Sequence, residues 1–318
     1  MNSIEIIKQL GINAKKAANE LANINNEKKN EALYNLKIEL KNLSSELIQI
    51  NNKDVENAFS KKMSSAMIDR LTLNEDRING MINCLEEIIK LNDPVGIVLS
   101  EWDRPNGLHI QKITVPLGVI AIIYESRPNV TVDASAIAVK AGNAVMLRGS
   151  KDSFYSSQRL YMIINEAFSK AGLPDNTVQM VPTPDRSAVD EMLQLDSYID
   201  VIIPRGGKGL IQKIKEKSSI PVIRHLDGIC HVYVDKDADM NIAKSVVYNS
   251  KMRRPGICGA AETLLIDKVL SKDTMKILAD LLDAKCEIRG DKFIQSLNEN
   301  FKLASEEDWK TEYLDKII

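Results

Sequence analysis

Val115-Pro-Leu-Gly-Val-Ile-Ala-Ile-Ile-Tyr124 is the longest unbroken apolar run in the chain, and the sequence pattern changes at this point. Ten residues are too few to cross a bilayer, which takes about 20. Residues 117–123, rich in Val and Ile, read as a strand buried on both faces. Downstream the pattern alternates. A small-residue helix is expected over 130–141, a strand over 144–147, and a helix over 154–170 closed by Gly172 and Pro174. Further strands are expected at 178–181, 199–203 and 230–234, with helices at 188–193 and 210–217. Short apolar runs joined by helices predict an α/β fold: a parallel sheet with helices on both faces.

Upstream, punctuation is sparse. No proline precedes Pro94, and only Gly11 and Gly80 interrupt that stretch. Ile7, Leu10, Ala14, Ala17 and Leu21 follow helical spacing, as do Leu33, Leu36, Leu40, Leu43 and Leu47. The first ninety residues are therefore read as helical. Val95-Gly-Ile-Val-Leu and Leu108-His-Ile-Gln-Lys-Ile-Thr flank the turn signal Asp103-Arg-Pro-Asn-Gly, which predicts a β-hairpin.

The 318 residues are 44% hydrophobic and 27% charged, within the globular range. The 42 basic and 44 acidic residues nearly cancel, which argues against a polybasic surface for nucleic acid or membrane. The N-terminal residues lack a basic region followed by an apolar one, so no secretory signal is expected. Four cysteines in this length make no disulfide framework, and a reducing, cytoplasmic setting is expected. The three histidines and four cysteines lack metal-ligand spacing, so no metal site is assigned.

Arg253-Arg-Pro-Gly-Ile-Cys258-Gly-Ala-Ala-Glu262 is the stretch with chemical promise. Cys258 follows an expected helix (239–248) and precedes an expected strand (263–266). Pro255, Gly256 and Gly259 make a tight loop around it. Lys251, Arg253 and Arg254 favour a thiolate, the nucleophilic form. Cys84, Cys230 and Cys286 read as small hydrophobes. Arg205-Gly206-Gly207-Lys208-Gly209 follows a strand and opens a helix, where backbone N–H groups suit a diphosphate. It lacks the Gly-x-Gly-x-x-Gly spacing of the usual dinucleotide fold.

Five motifs occur in a diagnostic order: Val115-Pro-Leu-Gly-Val-Ile, Tyr124-Glu-Ser-Arg-Pro-Asn-Val, Ala141-Gly-Asn-Ala-Val-Met-Leu-Arg-Gly-Ser, Ile202-Ile-Pro-Arg-Gly-Gly-Lys-Gly and Arg254-Pro-Gly-Ile-Cys. With them the chain resembles the aldehyde dehydrogenase superfamily. Within it, the chain is similar to the gamma-glutamyl phosphate reductase branch, also called glutamate-5-semialdehyde dehydrogenases. The resemblance implies reduction of gamma-glutamyl phosphate by NADPH through a thioester on Cys258, a step of proline biosynthesis. It implies a helical N-terminus, a Rossmann-like cofactor domain (1–95 and 115–235), a hairpin of an oligomerisation region (96–114) and a catalytic domain (236–318). Family members continue past the segment at Glu312, so a C-terminally truncated catalytic domain is expected, with apolar surface uncovered around 260–285. A homo-oligomer is the family's expectation.

The resemblance also distributes roles. Cys258 and Ser126 fall at catalytic places. Arg127, Asn129 and Arg254 fall at substrate-binding places. Arg148, Ser150, Lys151, Arg205, Gly206, Gly207 and Glu312 fall at cofactor-binding places. Ser126, Asn129 and backbone N–H groups near Cys258 remain alternative donors to the developing oxyanion. Lys151 replaces a Glu that in relatives accepts from a ribose hydroxyl. With Arg148 it puts two cations near a 2′-phosphate, hence NADP(H). Oxidising members carry a water-activating Glu where this chain has His225-Leu226-Asp227-Gly228, which suits a thioester kept for reduction. Two other readings stand beside this one: an inactive remnant that binds nucleotide or a partner chain, and an acyl-CoA-reducing relative.

Overall fold

The computed structural model describes residues 3–225 and 227–318, except for the side chains of Ser3, Ser65, Ala66, Arg186 and Lys208. Leu226, within the 225–228 stretch singled out above, lies outside the described residues. The chain divides into two compact units, Met1–Arg224 and His225–Ile318.

The first unit opens with five helices: α1 (Ser3–Leu21), α2 (Asn26–Asn42), α3 (Ser44–Ser60), α4 (Ser65–Leu71) and α5 (Glu75–Lys90). Asn25 and Asn74 cap α2 and α5 by accepting from backbone N–H groups three residues on. The leucine series is not one helix. Leu43 leaves helical geometry (φ −102°, ψ 13°), so Leu33, Leu36 and Leu40 are buried on α2 while Leu47 belongs to α3. The expected hairpin is present as β1 (Val98–Asp103) and β2 (His109–Ile113), paired antiparallel. All six β1 residues are exposed.

A four-stranded parallel sheet follows. Its elements are β3 (Val119–Tyr124), α6 (Asn129–Lys140), β4 (Ala144–Arg148), α7 (Phe154–Lys170), β5 (Val178–Met180), α8 (Arg186–Met192), β6 (Val201–Arg205) and α9 (Lys208–Lys217). Every residue of β3 and β4 is buried. Their alternation sorts the core: Ile120, Ile122 and Tyr124 join one hydrophobic cluster with α2, α5, α6 and α7 residues. Val119, Ala121 and Ile123 join another with α1 and α8 residues. The strand order is β5-β4-β3-β6. The chain thus winds one way from β3 and then crosses to its other side. This makes the β3–β6 boundary a topological switch point, where open α/β sheets hold ligands at the carboxyl ends of strands.

The second unit contains β7 (Cys230–Val234), α10 (Met240–Met252), β8 (Ala261–Ile266), α11 (Thr274–Asp283), β9 (Arg289–Gly290), α12 (Lys292–Ser296) and β10 (Lys302–Leu303). β7 pairs in parallel with β8, and β9 with β10. The boundary falls ahead of the expected 235/236, because the ladder to β8 draws β7 into this unit. Val234, Val247, Ile277, Leu281 and Phe301 form its core. The apolar exposure expected around 260–285 is uneven: Val269 is 73% and Leu265 46% exposed, whereas Ile277 and Leu281 are buried. A cavity of about 660 Å³ is lined from β8 by Leu264 and Ile266 and from the β9 side by Ile288 and Phe293.

Candidate active site

In the first unit, the site residues named from the sequence gather at the carboxyl ends of three neighbouring strands. Ser126 lies two residues past β3. Its backbone is left-handed (φ 38°) and its side chain is only 6% exposed. Its N–H donates to Ser150 Oγ at 3.0 Å, and its hydroxyl to Asp152 Oδ2 at 3.5 Å. Ser150 Oγ also accepts from Asp152 N. Ser126 and Ser150 therefore tie the loop after β3 to the loop after β4. The Ser126 hydroxyl faces Asp152 at the long end of hydrogen-bond distance. Asn129 Nδ2 donates to Asp133 Oδ2 at 2.8 Å, one turn along α6. Burial holds the Asp133 carboxyl above the usual carboxylate range. Arg127 is half-buried beside them.

The two expected phosphate cations separate in character. Lys151 is exposed at the start of a short 3₁₀ turn, Lys151–Ser153. Arg148 is 8% exposed, and its Nη2 donates to the carbonyls of Pro184 (2.8 Å) and Asp185 (3.3 Å). Its guanidinium fastens the loop that leads into α8, so Lys151 is the outward-facing cation of the pair.

At the end of β6, Arg205 is exposed and Gly206-Gly207 leads into α9. Glu125, which sequence reading did not place among the site residues, occupies this turn. Its N–H donates to Arg205 O at 3.1 Å, extending the β3–β6 ladder. Its Oε2 accepts from Gly207 N at 2.8 Å. A Cβ at Gly206 would lie 2.6 Å from that oxygen, so a larger residue there would push the Glu125 carboxylate aside. The one sequence signal was an acidic residue directly beyond the apolar run, in Tyr124-Glu-Ser-Arg. The carboxylate shows that the N–H at the entrance to α9 can hold an oxyanion.

In the second unit, Cys258 is exposed in the loop joining α10 to β8. Ala260 N donates to Ile257 O at 3.0 Å, folding the loop tightly. The Cys258 carbonyl is held from the β7 side. The Cys230 thiol donates to it at 3.4 Å, and a Cβ at Gly228 would come within 2.5 Å of it. The same Cβ would lie 3.1 Å from Glu312 Oε1 and 3.1 Å from His225 Cε1. Glu312, His225 and Gly228 thus meet at the base of the cysteine loop. Gly228 and Cys230 are contacts that sequence reading missed. For Gly228 the clue was its place in the stretch already matched to relatives.

The basic residues near Cys258 divide as well. Arg253 and Arg254 are exposed. Lys251 is fully buried and paired with Glu262 at 2.7 Å, so it is not a loop cation as expected. Cys286 is buried, and burial pushes its thiol up to about 11, leaving it protonated near neutral pH. Among the described residues, no group of three His, Cys, Asp or Glu side chains could hold a metal ion. No described helix is long and apolar enough to cross a membrane.

Residues 5–291 match the model of the aldehyde dehydrogenase family. Over 97% of its length the chain is 48% identical to the gamma-glutamyl phosphate reductase of Bartonella tribocorum, covering 76% of that protein. It is 49% identical to the enzyme of that name from Paramagnetospirillum magneticum, over 98% of this chain and 74% of the relative. The crystal structure of gamma-glutamyl phosphate reductase from Thermotoga maritima superposes with a TM-score of 0.89 at 38% identity, covering 98% of this chain and 76% of that one.

Proposed function

Because the chain belongs to the aldehyde dehydrogenase family, in its gamma-glutamyl phosphate reductase branch, we propose that it reduces gamma-glutamyl phosphate to glutamate 5-semialdehyde with NADPH in proline biosynthesis. The observation that carries this reading is the state of Cys258: an exposed thiol in a tight loop whose own carbonyl is pinned from the side by Cys230 and Gly228.

The Cys258 thiolate attacks the acyl carbon of the mixed anhydride. The carbon–oxygen bond to phosphate breaks, and phosphate leaves with the electron pair. The product is a thioester, so one difficult reduction becomes two easier steps. The nicotinamide nucleotide, when bound, supplies the hydride that reduces this thioester. The resulting thiohemiacetal alkoxide collapses, releasing the aldehyde and the Cys258 thiolate. Ser126 and Asn129 have partners of their own. Ser126, Asn129 and backbone N–H groups of the cysteine loop are the alternative oxyanion donors. Arg127 and Arg254 are assigned to the anionic groups of the substrate. The 225–228 stretch has no Glu at the water-activating place, which suits a thioester kept for hydride, and Asp227 is the alternative base there.

For the nucleotide, the residues at the switch point fit the group. Gly207 N at the α9 entrance already donates to a carboxylate, so it can donate to a phosphate oxygen in that carboxylate's place. Arg205 and Lys151 are exposed cations near the strand ends. Lys151 is assigned to a 2′-phosphate, giving NADP(H), while Arg148 and Ser150 hold the surrounding loops and Glu312 lies at the base of the cysteine loop. The exposed β1–β2 hairpin supports assembly with a second copy of the chain, and a cytoplasmic setting accords with the cysteine usage.

The test runs the reaction backwards. Glutamate 5-semialdehyde, inorganic phosphate and NADP⁺ are mixed with the protein, and the absorbance of the reduced nucleotide is followed. Phosphate-dependent reduction that disappears in Cys258→Ala supports the proposal. Reduction independent of phosphate points to hydrolytic aldehyde oxidation. Nucleotide binding without turnover points to a non-catalytic binding protein.

A further inference from the structure

The two ends of the cysteine loop are joined by an ion pair that the reaction described above does not use. Lys251 lies in the last turn of α10, and Glu262 is the second residue of β8. Lys251 Nζ and Glu262 Oε2 are 2.7 Å apart, and both side chains are completely buried. The other carboxylate oxygen, Oε1, accepts from Leu314 N at 3.3 Å. One carboxylate thus gathers three segments: the helix before Cys258, the strand after it, and the chain just beyond Glu312.

Removing two charges from water is costly, and well-packed apolar residues of like volume often hold a fold equally well or better. Stability alone does not account for the pair. A short charge-assisted hydrogen bond adds direction, because it fixes a distance and an angle that apolar packing leaves free. The segment whose ends it fixes, residues 252–261, carries Cys258. The carbonyl of Cys258 accepts from the Cys230 thiol and lies where a side chain at position 228 would clash with it.

We propose that Lys251 and Glu262 form a clasp that sets the conformation of the Cys258 loop, which makes them positioning residues for the nucleophile. The inference rests on the assignment of Cys258 as that nucleophile. The clasp acts through the loop and touches no substrate.

The test replaces the pair by apolar residues, Lys251→Met with Glu262→Leu, in the full chain. Hydrogen exchange of the 253–260 amides is compared with exchange in α11, and turnover is expressed per titrated Cys258 thiol. The expected result is exchange in the loop faster by about tenfold while α11 keeps its protection. Turnover per thiol is expected to fall by about tenfold or more. The pair Lys251→Arg with Glu262→Asp, which keeps both charges and a similar combined length, is expected to recover most of both properties. If the apolar variant does not fold, Lys251→Gln with Glu262→Gln carries the same comparison, since it removes both charges while one amide oxygen at 262 can still accept from Leu314 N and its NH2 can donate to the oxygen at 251. Parent-like loop exchange and parent-like turnover per thiol overturn the clasp. If Cys258→Ala keeps its turnover, the nucleophile assignment fails first and the positioning role fails with it. An inactive Cys258→Ala beside a parent-like apolar variant removes the clasp alone.

Discussion

The Glu125 carboxylate accepts a hydrogen bond from the Gly207 backbone N–H at 2.8 Å, across the boundary between β3 and β6. These two residues lie just past the strands on either side of the sheet's switch point, where the nucleotide diphosphate is proposed to bind. An internal anion therefore sits at the entrance to α9, on a donor that an incoming phosphate also needs.

Glu125→Gln is expected to tighten nucleotide binding. The amide can still accept from Gly207, but it no longer repels a diphosphate. A gain of roughly fivefold in NADPH affinity is expected, measured by fluorescence titration at low salt and shrinking as salt is added. Weaker binding in the variant would show that the carboxylate is itself a nucleotide ligand.

Lys151→Glu is expected to reverse the nucleotide preference. Lys151 is exposed, whereas Arg148 is held by the carbonyls of residues 184 and 185. Placing a carboxylate at position 151 should lower kcat/KM with NADPH by about tenfold or more and spare NADH. Arg148→Lys should instead lower thermal stability with both nucleotides affected alike. An unchanged ratio of NADPH to NADH efficiency in Lys151→Glu contradicts the assignment.

Much of the fold was legible because its elements announce themselves locally. The helix expected over 154–170 is found at Phe154–Lys170, and the strand expected over 230–234 at Cys230–Val234. The apolar run that opens the sheet could be read because a doubly covered parallel strand needs apolar residues on both faces. Helical spacing alone did not reveal the break at Leu43, since the leucine period continues across it while the backbone does not. At the site, the sequence located the loops but not the partners. Arg148 and Lys151 look alike as cations, and only the carbonyls of a loop 36 residues away distinguish them. Lys251 reads as one more base beside Cys258 until Glu262, eleven residues on, is seen to bury it. Long-range pairing of this kind leaves no periodic trace in a single chain.

Gly228→Ala is expected to disturb the cysteine loop. The added Cβ would meet the Cys258 carbonyl oxygen at 2.5 Å, and a backbone atom cannot yield as a flexible side-chain end can. A destabilisation of about 1–3 kcal/mol is expected from the overpacking. It should appear as a lowered Tm together with a loss of turnover at temperatures where the variant remains folded. Parent-like values of both would mean that the loop has more room than its packing shows.

The four thiols are expected to label in a fixed order. Cys258 is exposed, and Cys286 is buried with its thiol pushed up to about 11. Iodoacetamide near pH 8, read by peptide mass spectrometry, should modify Cys258 first and leave Cys286 untouched in the folded protein. The linkage has a definite sign. The Cys286 thiol ionises near ~8.5 when unfolded and higher when folded, so its contribution to stability is complete below that value. The contribution is lost as pH rises toward about 11. Denaturant midpoints for Cys286→Ala and the parent should therefore converge in alkaline solution relative to their separation at neutral pH.

The central claim is that Cys258 carries the acyl group. The most direct measurement is intact-mass and peptide analysis of the protein quenched in acid after exposure to an acyl phosphate in the absence of reduced nucleotide. The account predicts an acyl adduct confined to the peptide holding Cys258, discharged when NADPH is added and absent from Cys258→Ala. An adduct on another residue, or phosphate release of equal rate from Cys258→Ala, would contradict it.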